Sequence, residues 1–117
     1  MDGFCSRVGL AMLAAGLLFD QGAALAASAE RGKILFTEKY GCYQCHGTEG
    51  QGANTGPKLA PNPMAYEALA SFVRNSSRAM PPYREQILPN DDLADIYAYL
   101  QSIKAPADYK SIPLLNN

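Results

Sequence analysis

The chain carries the sequence Cys42-Tyr43-Gln44-Cys45-His46, which is a C-x-x-C-H pattern. This pattern is the attachment signal of a c-type haem. On one helical turn the two cysteines lie on the same face, where their thiols can form thioethers with both vinyl groups of a single porphyrin. The histidine lies four residues after the first cysteine and points the same way, so it can reach the iron. The spacing predicts one covalently bound haem c, held by Cys42 and Cys45, with His46 as an iron ligand.

Three other kinds of site use the same residue types. A zinc site needs four ligands, but the chain after residue 26 offers two cysteines and one histidine. A thioredoxin-like redox pair follows a strand in a βαβ unit, whereas these cysteines follow a predicted helix. A structural disulfide between Cys42 and Cys45 remains an alternative to haem attachment.

The length and charge of the chain limit its function. With 117 residues it is long enough for one small domain, which excludes a multidomain enzyme. Ten basic and eleven acidic residues give a net charge of -1. Because no polycationic face is available to neutralise phosphates, nucleic acid is not an expected partner.

The N-terminus is predicted to be a secretory signal peptide. One base, Arg7, precedes an apolar run over residues 8–19, and Ala24-Leu25-Ala26 fits the small-x-small cleavage rule. The run is too short for a spanning helix, which needs about 20 residues, although an uncleaved anchor is the alternative. We therefore expect a signal peptide over residues 1–26 and one domain over 27–117, exported to the periplasm. Cleavage after Ala29 is a second option.

Three main helices are predicted in the exported domain. The first begins at the N-cap Ser28 and ends at Gly41. The second covers about 63–75, with Asn62 as its N-cap and proline in its first position. The third follows Pro89 and carries an apolar stripe that ends at Ile103.

The segments between these helices are predicted to be long loops. Residues 47–56 are glycine-rich and form a loop, and two prolines after the third helix predict an extended tail. No segment alternates with period two, so the fold class is all-α. Loops of this length in so small a domain indicate that a cofactor fills the space between them.

A second iron ligand must come from a residue other than histidine, because His46 is the only histidine in the chain. Met64 and Met80 are the methionines beyond the signal peptide. Met80 is favoured because Pro81 and Pro82 stiffen its loop and can hold a thioether at a fixed distance from iron. Met64, in the first turn of a predicted helix, and an open coordination position are the alternatives.

The exported domain resembles a class I cytochrome c. Four motifs, spread over nearly all of it, carry the resemblance: Cys42-Tyr43-Gln44-Cys45-His46, Gly56-Pro57-Lys58-Leu59, Met80-Pro81-Pro82-Tyr83 and Asp95-Ile96-Tyr97-Ala98-Tyr99-Leu100. The resemblance implies a small cytochrome c fold wrapped around one haem. It implies His46 and Met80 as axial ligands, and a hydrogen bond from the other ring nitrogen of His46 to the carbonyl of Pro57.

The resemblance also implies a crossing of the first and last helices. Gly32 and Phe36 on the first helix match residues that contact Ile96 and Tyr99 on the last. Glycine at this crossing lets the two backbones approach closely. No tryptophan is present to hydrogen-bond a haem propionate. Four side chains are candidates for that role, and the sequence does not choose among them: Tyr66, Tyr83, Arg78 and Arg84.

The expected function is one-electron transfer. A haem with His and Met ligands has no vacant position for a substrate, so the protein is expected to be a carrier with a positive potential and not an enzyme. It would act as a monomer between a redox protein donor and acceptor in transient complexes, and would meet the membrane only through them. Five basic residues are candidates for a ring around the haem edge: Lys39, Lys58, Arg74, Arg78 and Arg84.

Two alternatives to a free carrier remain. The domain could be the dedicated cytochrome subunit of a periplasmic dehydrogenase, which uses the same haem chemistry with a larger and permanent interface. If Met80 does not bind iron, the open position could bind a diatomic gas or react with peroxide.

Overall fold

The computed structural model describes residues 26–115, and this part of the chain is helical with no strand. The all-α prediction is confirmed. The helices are α1 (Ala29–Ile34), which continues as a π-helical turn (Leu35–Lys39), α2 (Tyr43–His46), α3 (Tyr66–Asn75) and α4 (Asn90–Ser102). Apart from Ala26, the predicted signal peptide and its anchor alternative lie outside the described residues. No helix between residues 26 and 115 has the length and apolar character needed to cross a membrane.

The first helix begins and ends where the sequence predicts. The Ser28 hydroxyl accepts a hydrogen bond from the backbone N–H of Arg31 at 3.2 Å, as an N-cap does. The helical backbone continues through the π-helical turn to Lys39. Gly41 then adopts a φ of +64°, which ends the helix at little steric cost and turns the chain into the cysteine motif.

The predicted start of the second main helix is wrong by three residues. Asn62 has a φ of +63°, whereas an N-cap residue adopts extended backbone angles, so it cannot cap this helix. Ala65 precedes α3 instead, and the helix runs from Tyr66 to Asn75. Met64 therefore lies in the loop before α3 and not in its first turn.

The last helix contributes more buried hydrophobic residues to the described core than any other helix. It follows Pro89 as predicted, and it buries Leu93, Ile96, Tyr99 and Leu100. Ile103, the expected last member of the apolar stripe, lies one residue beyond the helix. The tail, predicted to be extended, contains two short 3₁₀ turns, Tyr109–Ser111 and Pro113–Leu115.

The first and last helices cross as the resemblance implies. Gly32 is buried against α4, and the ring centroids of Phe36 and Tyr99 are 5.6 Å apart. Phe36 is fully buried and also lines the cavity described below. The crossing therefore fixes one wall of that cavity.

A group of charged and polar side chains surrounds the start of α4. The buried carboxylate of Asp92 accepts hydrogen bonds from Lys39 Nζ and the Tyr40 hydroxyl, each at 2.7 Å, and from Arg31. Burial by itself raises the pKa of Asp92, but these hydrogen bonds outweigh it and lower the pKa to about 2. Asp95 is paired with the same Arg31. This cluster ties the N-terminal segment to α4.

Candidate haem-binding site

An apolar cavity of about 640 Å³ lies between the helices and the long loops. Its walls bring together residues from each of the four sequence motifs. The protein core contributes Phe36, Leu69, Val73, Leu93, Ile96 and Leu100. Such a cavity suits a large, flat, mostly apolar cofactor.

The cysteine motif forms one wall of the cavity. The backbone N–H groups of Cys45 and His46 donate to the Cys42 carbonyl at 3.3 and 3.0 Å, so the motif is a single helical turn. Cys42 and Cys45 are both free thiols and both line the cavity. Burial raises the pKa of the Cys42 thiol to about 11. Both sulfur atoms are therefore available on the wall that a porphyrin would contact.

His46 is buried, and one of its ring nitrogens is already engaged. Nδ1 lies 2.8 Å from the carbonyl oxygen of Pro57. Because a carbonyl can only accept, Nδ1 carries the proton and donates it to Pro57. The other nitrogen, Nε2, is left as the one whose lone pair can bind iron. The hydrogen bond implied by the resemblance is present in the structure.

Both candidate methionines line the same cavity. Met80 is half-buried and packs against the hydrophobic core. Met64 is 47% exposed. The structure thus brings the predicted ligand Met80 to the cavity that contains His46, and it places Met64 near solvent.

The chain matches a protein family over residues 27–100, which is 74 of its 117 residues. That family is described as "Cytochrome C oxidase, cbb3-type, subunit III". The chain belongs to this family. It is therefore a c-type cytochrome domain, consistent with a small monohaem class I cytochrome c, and it carries a covalently bound haem c. No curated protein and no solved structure matches the chain.

The donor set of the cavity fits this cofactor. Two free thiols lie on the turn that also carries a histidine with its Nδ1 already occupied, and a thioether lines the same space. Soft sulfur and imidazole are the ligands expected for haem c. Within residues 26–115, no group of three His, Cys, Asp or Glu side chains is arranged to hold a bare metal ion. A cytochrome c domain transfers electrons through its haem, and it is typically a carrier and not an enzyme.

The structure separates the four candidates for contact with the haem propionates. Arg78 and Tyr83 line the cavity of this cytochrome domain. Burial, followed by the proximity of Cys42 and Cys45, raises the pKa of Tyr83, so its hydroxyl stays protonated and can donate. Tyr66 instead donates to the carbonyl of Asn90 at 3.4 Å. Neither Tyr66 nor Arg84 is among the lining residues.

Two of the five basic residues that were predicted to ring the haem edge are bonded to other groups of the protein. Lys39 is paired with Asp92, 2.7 Å away. Arg74 donates to the carbonyl of Tyr83 and to the side chain of Asn90. Of the five basic residues, only Arg78 lines the cavity. The sequence could not show this, because the partners of Lys39 and Arg74 lie on distant or separately packed segments.

Gly56 is a site residue whose role is not evident from the sequence alone. A Cβ atom on Gly56 would lie 2.5 Å from the Cys45 carbonyl oxygen and 3.0 Å from His46 Nδ1. A side chain there would push the loop away from the cysteine turn. The glycine therefore lets the carbonyl of Pro57 reach the imidazole. The sequence signal for this role was the Gly56-Pro57 pair. The resemblance assigned Pro57 to the hydrogen bond with His46 and assigned no role to Gly56.

Proposed function

We propose that this chain is a one-electron carrier in which His46 and Met80 are the axial ligands of the haem, and Cys42 and Cys45 form its thioether bonds. The observation that carries the proposal is that Met80, unlike the 47% exposed Met64, packs against the core in the cavity that it shares with His46. The haem, when bound, supplies reversible one-electron transfer between ferrous and ferric iron. With the Met80 thioether bound to it, the iron would have no open position for a substrate.

The protein orients the His46 ring and provides apolar surroundings for the haem. Pro57 holds the proton of His46 on Nδ1, which fixes the imidazole orientation and raises its basicity as a ligand. The core side chains of α3 and α4 line the cavity and would give a bound haem apolar surroundings. Neutral thioether ligation and apolar burial both favour the ferrous state, so we expect a positive reduction potential.

The direct test uses the unmodified protein. The ferric form should show the weak near-infrared absorption of an iron–sulfur(Met) bond, and the ferrous form should resist carbon monoxide. Rapid carbon monoxide binding without the near-infrared band would instead support an open-site haem protein that binds gas or reacts with peroxide.

We also propose export to the periplasm with removal of residues 1–26. The support is the apolar run, the cleavage pattern, and the start of the family match at residue 27, one residue after the proposed cut. N-terminal sequencing of the protein purified from its own cells tests this proposal. A start at residue 27 or 30 is expected, whereas an intact Met1 in the membrane fraction would favour the anchor.

The proposed partners are a redox protein donor and acceptor that bind transiently to a monomer. A second candidate, a dedicated subunit of a larger redox complex, is favoured by one observation: the family description names an oxidase subunit. Purification from the native membrane and soluble fractions separates the two. A free carrier elutes alone at the mass of a monomer, whereas a dedicated subunit co-elutes with its enzyme at a fixed ratio.

A further inference from the structure

The loop that carries Met80, residues 76–82, is called the Met80 loop, and no hydrogen bonds of its own hold it in place. From Ser76 to Pro82, the described chain makes no hydrogen bond through backbone or side chain. Pro81 and Pro82 have no N–H group to donate, although their rings restrict the backbone. The position of Met80 therefore depends on how the two ends of this loop are fixed.

The C-terminal end of the loop is fixed at Tyr83, three residues after Met80. Its backbone N–H donates to the carbonyl of Val73 at 2.9 Å. Its own carbonyl accepts from Arg74 Nη1 at 2.7 Å. Both backbone groups of Tyr83 are thus bonded to the last turn of α3, the helix that also contributes Leu69 and Val73 to the cavity wall.

The same guanidinium reaches the start of α4. Arg74 Nη2 donates to Asn90 Oδ1 at 2.8 Å, and Asn90 Nδ2 donates to Glu85 Oε1 at 2.7 Å. Arg74 is half-buried, and its planar group holds two acceptors in fixed directions. One side chain therefore joins α3, the Met80 loop and α4.

We propose that Arg74 is a positioning residue for the Met80 thioether. Because the two prolines between Met80 and Tyr83 are stiff, fixing the backbone of Tyr83 limits the displacement of Met80 from the cavity. The inference rests on the proposed function, in which Met80 is the axial ligand. Arg74 itself lies outside the cavity wall and acts through the loop.

The test measures release of the sixth ligand in the intact holoprotein. Arg74→Gln should raise the rate of carbon monoxide binding to the ferrous protein about tenfold, the factor expected for loss of one hydrogen bond to a charged group. It should also weaken the ferric near-infrared band. Arg74→Lys keeps the charge but can serve fewer acceptors, so it should give an intermediate rate. Arg84→Gln removes an equal charge from the exposed residue next to Tyr83 and should leave both signals unchanged.

A second variant tests the same contact from the other side. Asn90→Ala removes the acceptor of Arg74 Nη2 and should raise the carbon monoxide rate in the same direction but by less. Asp91→Ala, at the neighbouring exposed position of α4, is its control. In the double variant, Asn90→Ala should add little to the effect of Arg74→Gln, because both act on one contact. The comparison of Asn90→Ala with Asp91→Ala remains decisive if Arg74→Gln does not fold.

The outcomes separate this inference from the proposed function. Wild-type protein without the near-infrared band, binding carbon monoxide rapidly, would overturn Met80 ligation and the role of Arg74 with it. If the wild-type protein shows the band, either of two results would overturn the role of Arg74 alone. One is that Arg74→Gln binds carbon monoxide at the wild-type rate; the other is that Asn90→Ala behaves like Asp91→Ala.

Discussion

Gly32 and Asp95 are in direct backbone contact where α1 crosses α4. A Cβ atom on Gly32 would lie 1.9 Å from the carbonyl oxygen of Asp95 and 2.4 Å from its carbonyl carbon. The carboxylate of Asp95 also accepts a hydrogen bond from the backbone N–H of Ser28 at 2.7 Å, just before α1. Close approach and a hydrogen bond therefore fix the helix crossing together, and α4 presents Ile96 to the cavity from this position.

We predict that Gly32→Ala destabilises the protein. Alanine favours the helix by about 1 kcal/mol, but its methyl group meets backbone that cannot move without separating α1 from α4. We expect a net loss of about 2 kcal/mol or more in the free energy of unfolding, measured by denaturant titration of the haem protein. Lys33→Ala, at an exposed position of the same helix, should change stability by about 0.5 kcal/mol or less. Equal stability of the two variants would contradict the contact.

We predict that Asp92 makes the free energy of unfolding depend on pH in the acid range. Its pKa is about 2 in the folded protein and near 3.8 when unperturbed, so the folded state favours the charged form. The contribution is fully present above about pH 4 and is lost as the pH falls towards 2. Its size should be no more than about 2 kcal/mol, because the partners Arg31 and Lys39 are half-exposed and screened by solvent.

The pH prediction has a matched control on the same helical turn. Asp92→Asn should lower stability at pH 7 and flatten its dependence between pH 4 and pH 2. Asp91→Asn removes the same charge from the first turn of α4 but at an exposed position, so it should keep the wild-type dependence. Unfolding is followed at each pH. An Asp92→Asn profile that stays parallel to the wild-type profile would show that the cluster does not act as described.

The helices were predictable where local chemistry decides the backbone. Ser28 caps α1 through its own hydroxyl, and Pro89 precedes α4 with acidic residues in the first turn, so local signals were enough. Asn62-Pro63 carried a similar signal, yet Asn62 is in the left-handed region. Asparagine tolerates that conformation as readily as it caps a helix, and the sequence does not distinguish the two.

The candidate site was predictable through its motif spacing but not through its supporting contacts. Cys42, Cys45 and His46 are fixed relative to one another by one helical turn, which the spacing alone predicts. The charged side chains behave differently, because an exposed arginine and one bonded to a distant carbonyl look identical in sequence. Lys39 finds its partner 53 residues away. Such contacts require the tertiary structure.

Covalent attachment is predicted to depend on the cysteines, and folding on the haem. The double variant Cys42→Ala/Cys45→Ala should show no haem-peroxidase stain after denaturing electrophoresis, because neither thioether can form. It should also lose helical content by circular dichroism, since an unfilled cavity of about 640 Å³ leaves the core residues around it without contacts. Tyr43→Phe preserves the motif and should stain like wild type. A stained double variant contradicts the attachment, and a haem-free variant as helical as wild type contradicts the dependence of folding on haem.

Replacing Met80 should change the properties of the haem, whereas replacing Met64 should not. Met80→Ala should remove the near-infrared band, admit carbon monoxide to the ferrous protein and lower the reduction potential, because water or hydroxide in place of sulfur stabilises ferric iron. Met64→Leu conserves apolar volume at a side chain that is 47% exposed, so it should leave the spectrum unchanged at a cost of about 1.5 kcal/mol or less. Absorption spectra, carbon monoxide titration and potentiometry provide the measurements. A band that survives in Met80→Ala and disappears in Met64→Leu would transfer the ligand assignment to Met64, because both thioethers border the same cavity.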